Sequence, residues 1–494
     1  MGKHFIHIAV LSAAVGFSSS ANAQAPLTLD PGFQFNLNEW YISSALPLDD
    51  GKVLLSGQIK FPGEFWFRGS ARLDQDGSID PTFPQFPQSI GQGKLTKWAD
   101  KIYVSVGQSV RRLDSDGLID NEFIQMNSSP LFTSLQGGDY HVYPDGSIVM
   151  SGLHNLDDTA RGFVGLYNLI WFTNTGHLDT TKTHRTGNGA IYEIEQQPDG
   201  KFLCSGACTI YDGQPVRKVF RVQPDGALDT TFDSGITWGE AFGFLPLPDG
   251  RSYAVGIMQQ NSLPLDTLRC IRLLANGELD TSFIYDHNWS LGTIPNYGNL
   301  GVTLGTIQHI GNKLLVTGYF QAVNGQPRLG LCMLDITGAL STEFHNAGVG
   351  PYSYQDFVYG GVDGAVLTPD NMLYVYGAYH GYTDGTTNDP DQRFITRLYG
   401  PDLTTAVSDA TVPVQATVRV APNPTTGHFT LSLPADLGPA QARLLDASGR
   451  VVEHYTLPGG AEQQPLSTAA EPGTYLLLVE ARDGRRWQVR VVVE

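Results

Sequence analysis

The residues of this chain whose types and spacing could do chemistry are few. Asp74-x-Asp76-Gly77-x-x-Asp80 has the acid spacing of a calcium loop, where alternating carboxylates supply oxygen ligands, and Asp114-x-Asp116-Gly117 repeats part of it. At the corresponding places, however, stand Pro224-Asp225-Gly226, Ala275-Asn276-Gly277 and Ile336-Thr337-Gly338. What persists is the glycine, so the position needs a turn and not a charge, and no metal site is assigned. Cys204 and Cys208 lie four apart in an extended run, with Cα atoms about 13 Å apart, out of disulfide reach unless the chain bends sharply at Gly206. With Cys270 and Cys332 at non-equivalent offsets and no zinc spacing, buried free thiols are expected. Among the histidines, His154 with Asp157 and Asp158, and His287 with Asp286, are the local acid–His groupings, both read as solvated loop residues. No His-Glu-x-x-His, Gly-x-Ser-x-Gly or phosphate-binding loop occurs. No catalytic, cofactor-binding or metal-binding residue follows, and no cofactor is expected.

Aromatic residues are more suggestive. Phe65-Trp66-Phe67, Trp289 through Tyr297, and Tyr352-Ser-Tyr354 through Tyr359 interrupt an otherwise regular pattern. Rings on loops stack on sugars or anchor a protein partner, and they equally serve to pack neighbouring elements together.

The elements that must position these residues form a repeat array. In Gln197–Phe232, Asp199-Gly200 is a tight-turn dipeptide, followed by the apolar run Phe202-Leu203-Cys204 ending at Gly206. A second extended run, Val216 to Val222, meets the turn Pro224-Asp225-Gly226 and then Leu228-Asp-Thr-Thr-Phe232. The runs are short and lack a 3.6-residue period, so they read as strands. The strand-ending glycine recurs as Gly57, Gly107, Gly152, Gly206, Gly256, Gly318 and Gly377. Three residues before each stand Leu54, Val104, Val149, Leu203, Tyr253, Leu315 and Tyr374. The closing signature recurs with Phe83, Phe123, Phe232, Phe283 and Phe344, while Lys182 takes the Phe position in a degenerate copy. Such units hold four short strands each, the content of one propeller blade. The last unit lacks its signature and the first is preceded by a spare one, Leu29-Asp30-Pro31-Gly32-Phe33. A ring needs that arrangement, because the spare segment can cover the last unit's open edge.

The ends carry addresses. A weakly basic start, an apolar stretch from Phe5 to Phe17 and Ala21-Asn22-Ala23 predict a signal peptide over 1–23. No run is long enough for a transmembrane anchor. A net charge of −18 argues against nucleic-acid and anionic-membrane partners. From about Val412 the character changes: Pro422-Asn423-Pro424 opens a module of about seven short strands, expected to form a small β-sandwich.

Two resemblances follow. Arg72-Leu73-Asp-Gln-Asp-Gly-Ser-Ile-Asp-Pro-Thr-Phe83, Arg221 to Phe232 and Gly318 to Arg328 resemble the delta-60 repeat, a bacterial β-propeller family that implies a fold and no activity. Pro422-Asn423-Pro424, Leu445-Asp-Ala-Ser-Gly-Arg450, Pro472-Gly-Thr-Tyr475 and Val491-Val-Val493 resemble the type A C-terminal sorting domain of the type IX secretion system. That resemblance implies passage through the periplasm and across the outer membrane, with the cargo released or attached to surface lipopolysaccharide. The expectation is an all-β chain: signal peptide 1–23, seven-bladed propeller 24–400, linker 401–414 and Ig-like sorting domain 415–494. Its expected role is non-catalytic binding of a glycan or protein, with the type IX machinery as partner. The alternative is an extracellular hydrolase or lyase acting in the central channel. An enzyme should gather His, Asp and Glu there, and a binder should show aromatic and amide groups.

Overall fold

The computed structural model describes residues 26–35, 37, 39–84, 92–106, 109–124, 131–260, 267–292, 301–354, 357–401, 419–433, 440–446, 451–458, 463–481 and 486–493. All regular structure in them is β. The chain divides into two compact units between Thr404 and Thr405. The expected signal peptide, nearly all of the linker, Gly107 and Tyr297 lie outside the described residues.

Tight turns set the design of the first unit. At Gln197–Gly200 the Gly200 N–H donates to the Gln197 carbonyl (2.9 Å), with Gly200 at φ 83°. This sends Ile191–Gln196 back antiparallel as Phe202–Gly206, which pairs in turn with Val219–Val222. A second turn then returns Leu228 for a bridge to Val222. Three strands and a closing bridge recur in seven sheets among the described residues, the seventh gaining the short strand Gly348–Val349 as well. Their first strands are Glu39–Pro47, Leu95–Trp98, Phe132–Val142, Ile191–Gln196, Ile236–Pro246, Thr303–Ile310 and Gly361–Leu367. The fourth element is a single bridge, not the expected strand. Asp229 accepts from Thr231 N and Oγ1 while Phe232 N donates to the Asp229 carbonyl, so the chain turns away at once.

In the seventh sheet the bridge comes from the other end of the sequence. Leu29 pairs with Leu398, Leu27 N donates to the Tyr399 carbonyl and Tyr399 N to the Thr28 carbonyl. The first strand of the first sheet also packs against Gly361–Leu367 and Met372–Thr383 of the seventh. The spare N-terminal signature therefore completes the last sheet.

The repeated glycines have a steric cause. The first strands bulge at Ser43, Tyr192, Phe242, Gly305 and Asp363, and the register slips there. A Cβ on Gly206 would lie 2.4 Å from the Ala190 carbonyl oxygen, one on Gly57 2.4 Å from that of Tyr41, and one on Gly318 2.2 Å from that of Thr303. Only glycine fits beneath the bulge. The side chains three positions earlier, Leu54 to Tyr374, are all buried. They pack between adjacent sheets, as where Leu203 and Val219 meet Ala254 and Ile271.

The second unit holds two sheets. Arg419–Ala421, His428–Ser432 and Gln463–Ser467 form one, and Val451–Leu457, Ala440–Leu445, Gly473–Ala481 and Arg486–Val493 the other. Phe429, Leu431, Leu444, Leu477, Val479 and Val491 form one core. Asn423, from the Pro-Asn-Pro segment, accepts through Oδ1 from Val492 N (2.8 Å).

Candidate functional site

The acids with calcium-like spacing are already engaged, two by a cation and one within its own turn. Lys52 Nζ lies 2.7 Å from Asp74 and 2.8 Å from Asp80, and Asp76 caps Ser78 inside its own turn. Among the described residues no group of three His, Cys, Asp or Glu could hold a metal. Asp80 instead belongs to a staple that the sequence reading missed. Arg72 Nε donates to Asp80 (2.7 Å), its guanidinium lies 5.1 Å over Phe83, and its other arm reaches the Ser115 carbonyl of the next sheet (3.2 Å). The same trio is Arg112, Asp120 and Phe123; Arg221, Asp229 and Phe232; and Arg272, Asp280 and Phe283. Arg397, Asp30 and Phe33 repeat it across the two ends of the unit.

Electrostatics favour the ionised form of Asp80, Asp120, Asp229 and Asp280. Burial opposes ionisation of Asp80, but Lys52, Thr82 and Arg72 outweigh it and hold the carboxyl well below its ordinary range. For Asp229, Thr231, Arg221 and Lys201 likewise outweigh burial and bring it to about 2. Two copies are imperfect, each losing the arginine together with one of its partners. In the sixth sheet Met333 stands in the Arg position and Ser341 in the Asp position. In the third, Trp171 replaces Arg and exposed Lys182 replaces Phe, while buried His184 accepts from Trp171 N (3.2 Å) and stacks on its ring.

The His154 reading needs correction. His154 is fully buried within Ile148–Asp158, its Nδ1 2.9 Å from Ser134 Oγ and its Nε2 3.0 Å from the Ser151 carbonyl. Asp158 is buried and paired with Arg161. The strand runs past Gly152, so composition alone mistook its extension for a loop. Asp286 is exposed, and His287 bonds the Gly338 carbonyl (2.6 Å) in its loop. All four cysteines are buried free thiols.

Chemically distinctive carboxylates lie along the axis formed by the first strands, which are neighbours from Phe132–Val142 round to Glu39–Pro47. Lys94 Nζ holds both oxygens of Asp139 at 3.0 and 2.9 Å. Asp139 sits at the third sheet's bulge, its N–H bonded to Ser151 Oγ (2.8 Å). Beyond it, burial and then Asp139 push Glu193 well above the ordinary carboxylate range, despite Lys94. Burial pushes Glu195 up to about 7, with Lys94 opposing. Asp363, at the seventh bulge, is also raised by burial to about 7 although Tyr319 donates to it (3.3 Å). Residues from several sheets thus supply acid–base groups that no motif announced.

The aromatic clusters separate by exposure. The tight turns share one end of the sheets; the other end carries the loops between second and third strands and the connections to the next sheet. There Trp289 is buried against Phe320 (4.9 Å) and Tyr352 against His380 and Phe394. Phe65 and Trp66, by contrast, are 91% and 72% exposed.

Comparison with known proteins agrees with both halves. The DUF5122 β-propeller domain, of unknown function, matches residues 48–83 and 197–232, and the secretion system C-terminal sorting domain matches 419–494. No curated protein matches the chain. Among solved structures, PorZ, a surface component of the type IX secretion system of Porphyromonas gingivalis, is 12% identical, over 90% of this chain and 64% of PorZ, with a TM-score of 0.34. The chain thus spans less than two thirds of that protein. A protein of unknown function from Bacteroides caccae is 15% identical over 58% of this chain and 91% of its own (TM-score 0.30). A protein described as exported, from Bacteroides fragilis, is 10% identical over 64% and 92% (TM-score 0.33). At these scores none of the three carries the argument further. Among the described residues no helix is long and apolar enough to cross a membrane. The chain carries delta-60-type DUF5122 β-propeller repeats joined to a C-terminal sorting domain, which marks it for secretion to the outer surface through the type IX system.

Proposed function

We propose that the first unit is a closed seven-bladed propeller and that the protein is a non-catalytic binder of a glycan or protein at the outer cell surface or in the medium. The observation that carries this reading is the exposure of Phe65 and Trp66 on the loop-bearing end. Paired bare rings on a fixed loop forgo burial that the fold could otherwise use, and such patches mark sites of interaction. In this reading 1–23 is a signal peptide, 24–400 the propeller, 401–414 a linker and 415–494 an Ig-like sorting domain that meets the type IX machinery from the periplasm.

A second reading is favoured by the axis. Lys94, Asp139, Glu193 and Glu195 place raised carboxyls beside a paired one, an arrangement suited to acid–base hydrolysis or elimination. One experiment separates them. The full chain, presented to a glycan array and to solubilised surface proteins, should retain a ligand without altering it. Product release that Glu193→Gln abolishes would establish the enzymatic reading instead.

A further inference from the structure

We propose that the loop joining the second and third strands of the first sheet, residues 61–67, is a shelf for a neutral carbohydrate, with Phe65 and Trp66 as its stacking rings. The inference rests on the binding reading above and names its ligand class and residues.

The shelf is built in advance of any ligand. Pro62 and Gly63 occupy the centre of a tight turn closed by Glu64 N donating to the Phe61 carbonyl (3.1 Å), with Gly63 at φ 85°. Proline second and a positive-φ glycine third is the type II pattern, which has little freedom left. At the root, buried Phe61 packs edge-on against Phe35 (5.8 Å). The Arg68 guanidinium lies 5.0 Å over Phe61 and the Lys60 ammonium 5.4 Å over Phe67. Anchored on both sides, the loop holds Phe65 and Trp66 outward, and binding to such a surface loses little conformational entropy.

Charge and size choose the ligand class. The charges beside the rings are satisfied locally: Lys60 pairs with Glu39 (3.3 Å), and Arg68 pairs with Glu64, Nε at 3.0 Å. Among the described residues the shelf therefore offers no unpaired charge to steer an anionic glycan or a charged peptide. Two aromatic side chains offer about 300–500 Å² at most, counting roughly 150–250 Å² each. A stable protein partner needs about 800 Å² on each side. One or two pyranose rings fit that smaller area, laying their C–H faces on the aromatic rings while hydroxyls reach the polar rim.

Affinity electrophoresis of the full chain through gels containing laminarin, xylan or mannan, with dextran sulfate and polygalacturonate as charged counterparts, tests this. At least one neutral polysaccharide should retard the protein. Phe65→Ala and Trp66→Ala should each weaken retardation at least tenfold, Trp66→Tyr should largely restore it, and melting temperatures should not move, since both rings are exposed. Equal retardation of the parent and the double alanine variant overturns the shelf, as does retardation by the charged polymers alone, capture of a protein alone, or none. Ligand retained by the double alanine variant would leave the broader binding reading standing. Polysaccharide cleavage that Glu193→Gln abolishes would count against that broader reading.

Discussion

Carboxylates at the outer edge of the sheets and carboxylates along the axis are the same group under opposite treatment. Asp80, Asp120, Asp229 and Asp280 are buried, yet each lies within reach of two cations and is held below its ordinary range. Glu193, Glu195 and Asp363 are raised, because burial there exceeds the help from Lys94 or Tyr319. The outer set recurs in the repeat, and its arginines reach a carbonyl of the next sheet wherever the staple is intact, so it serves the fold. The axial set occurs once at each place and serves nothing in the fold's repeat. Burial alone does not decide a carboxylate's state; the cations and hydrogen-bond donors built around it do.

The largest effect should come from breaking the staple that joins the two ends. Arg397 and Asp30 are nearly buried, and Asp30 also anchors Tyr399 (2.9 Å). Asp30→Ala leaves that arginine without its carboxylate and frees the closing segment, so chemical denaturation should show a loss of about 3–5 kcal/mol. A loss under about 0.5 kcal/mol, as at an ordinary surface site, would dissolve the distinction between the two sets. Phe232→Ala should cost about as much, roughly 3–5 kcal/mol, since Phe232 is buried beneath Arg221 at 4.7 Å.

The sixth sheet supplies a sharper test of intermediate size. It carries Met333 and Ser341 where the fifth carries Arg272 and Asp280. Arg272→Met leaves Asp280 only Arg251 at 3.8 Å and Asp280→Ser leaves Arg272 without its carboxylate, so each should cost about 2–4 kcal/mol, a little under a fully broken buried pair. Together they reproduce the sixth sheet's pair, and the double variant should lose less than the two singles added. A double-mutant cycle with coupling below about 0.5 kcal/mol would mean the pair does not act as a unit.

How much of this was legible follows from what repeats. The glycines, the apolar residues before them and the signature phenylalanines stood out because the same steric need recurs at each bulge and each closing turn. The staple arginines lay inside the same motif, eight positions before their aspartates, but a partner across a turn shows no periodicity within one strand. The axial acids were illegible for the opposite reason: Asp139 and Asp363 occupy bulge positions held elsewhere by Ser43, Tyr192, Phe242 and Gly305, so nothing in the pattern marks them. Exposure was also hidden, since Trp66 and Trp289 both interrupt the repeat and only packing against Phe320 separates them.

The smallest expected effect reads the contrast most directly, through pH. Asp229 has a depressed pKa, so its contribution to stability is complete above the unfolded value of about 3.9 and is lost as pH falls toward 2. Glu195 has a raised one, so its contribution is complete below the unfolded value of about 4.3 and is lost as pH rises through about 7. Glu195→Gln removes only the second term. Parent and variant should therefore be equally stable near pH 4, with the variant gaining gradually up to pH 7 and staying ahead by about 1 kcal/mol at pH 8, solvent at the axis tempering the full effect. Urea unfolding at several pH values measures this. A variant less stable than its parent at pH 8 would place Glu195 in a favourable ion pair with Lys94, and the axial set would then join the outer one.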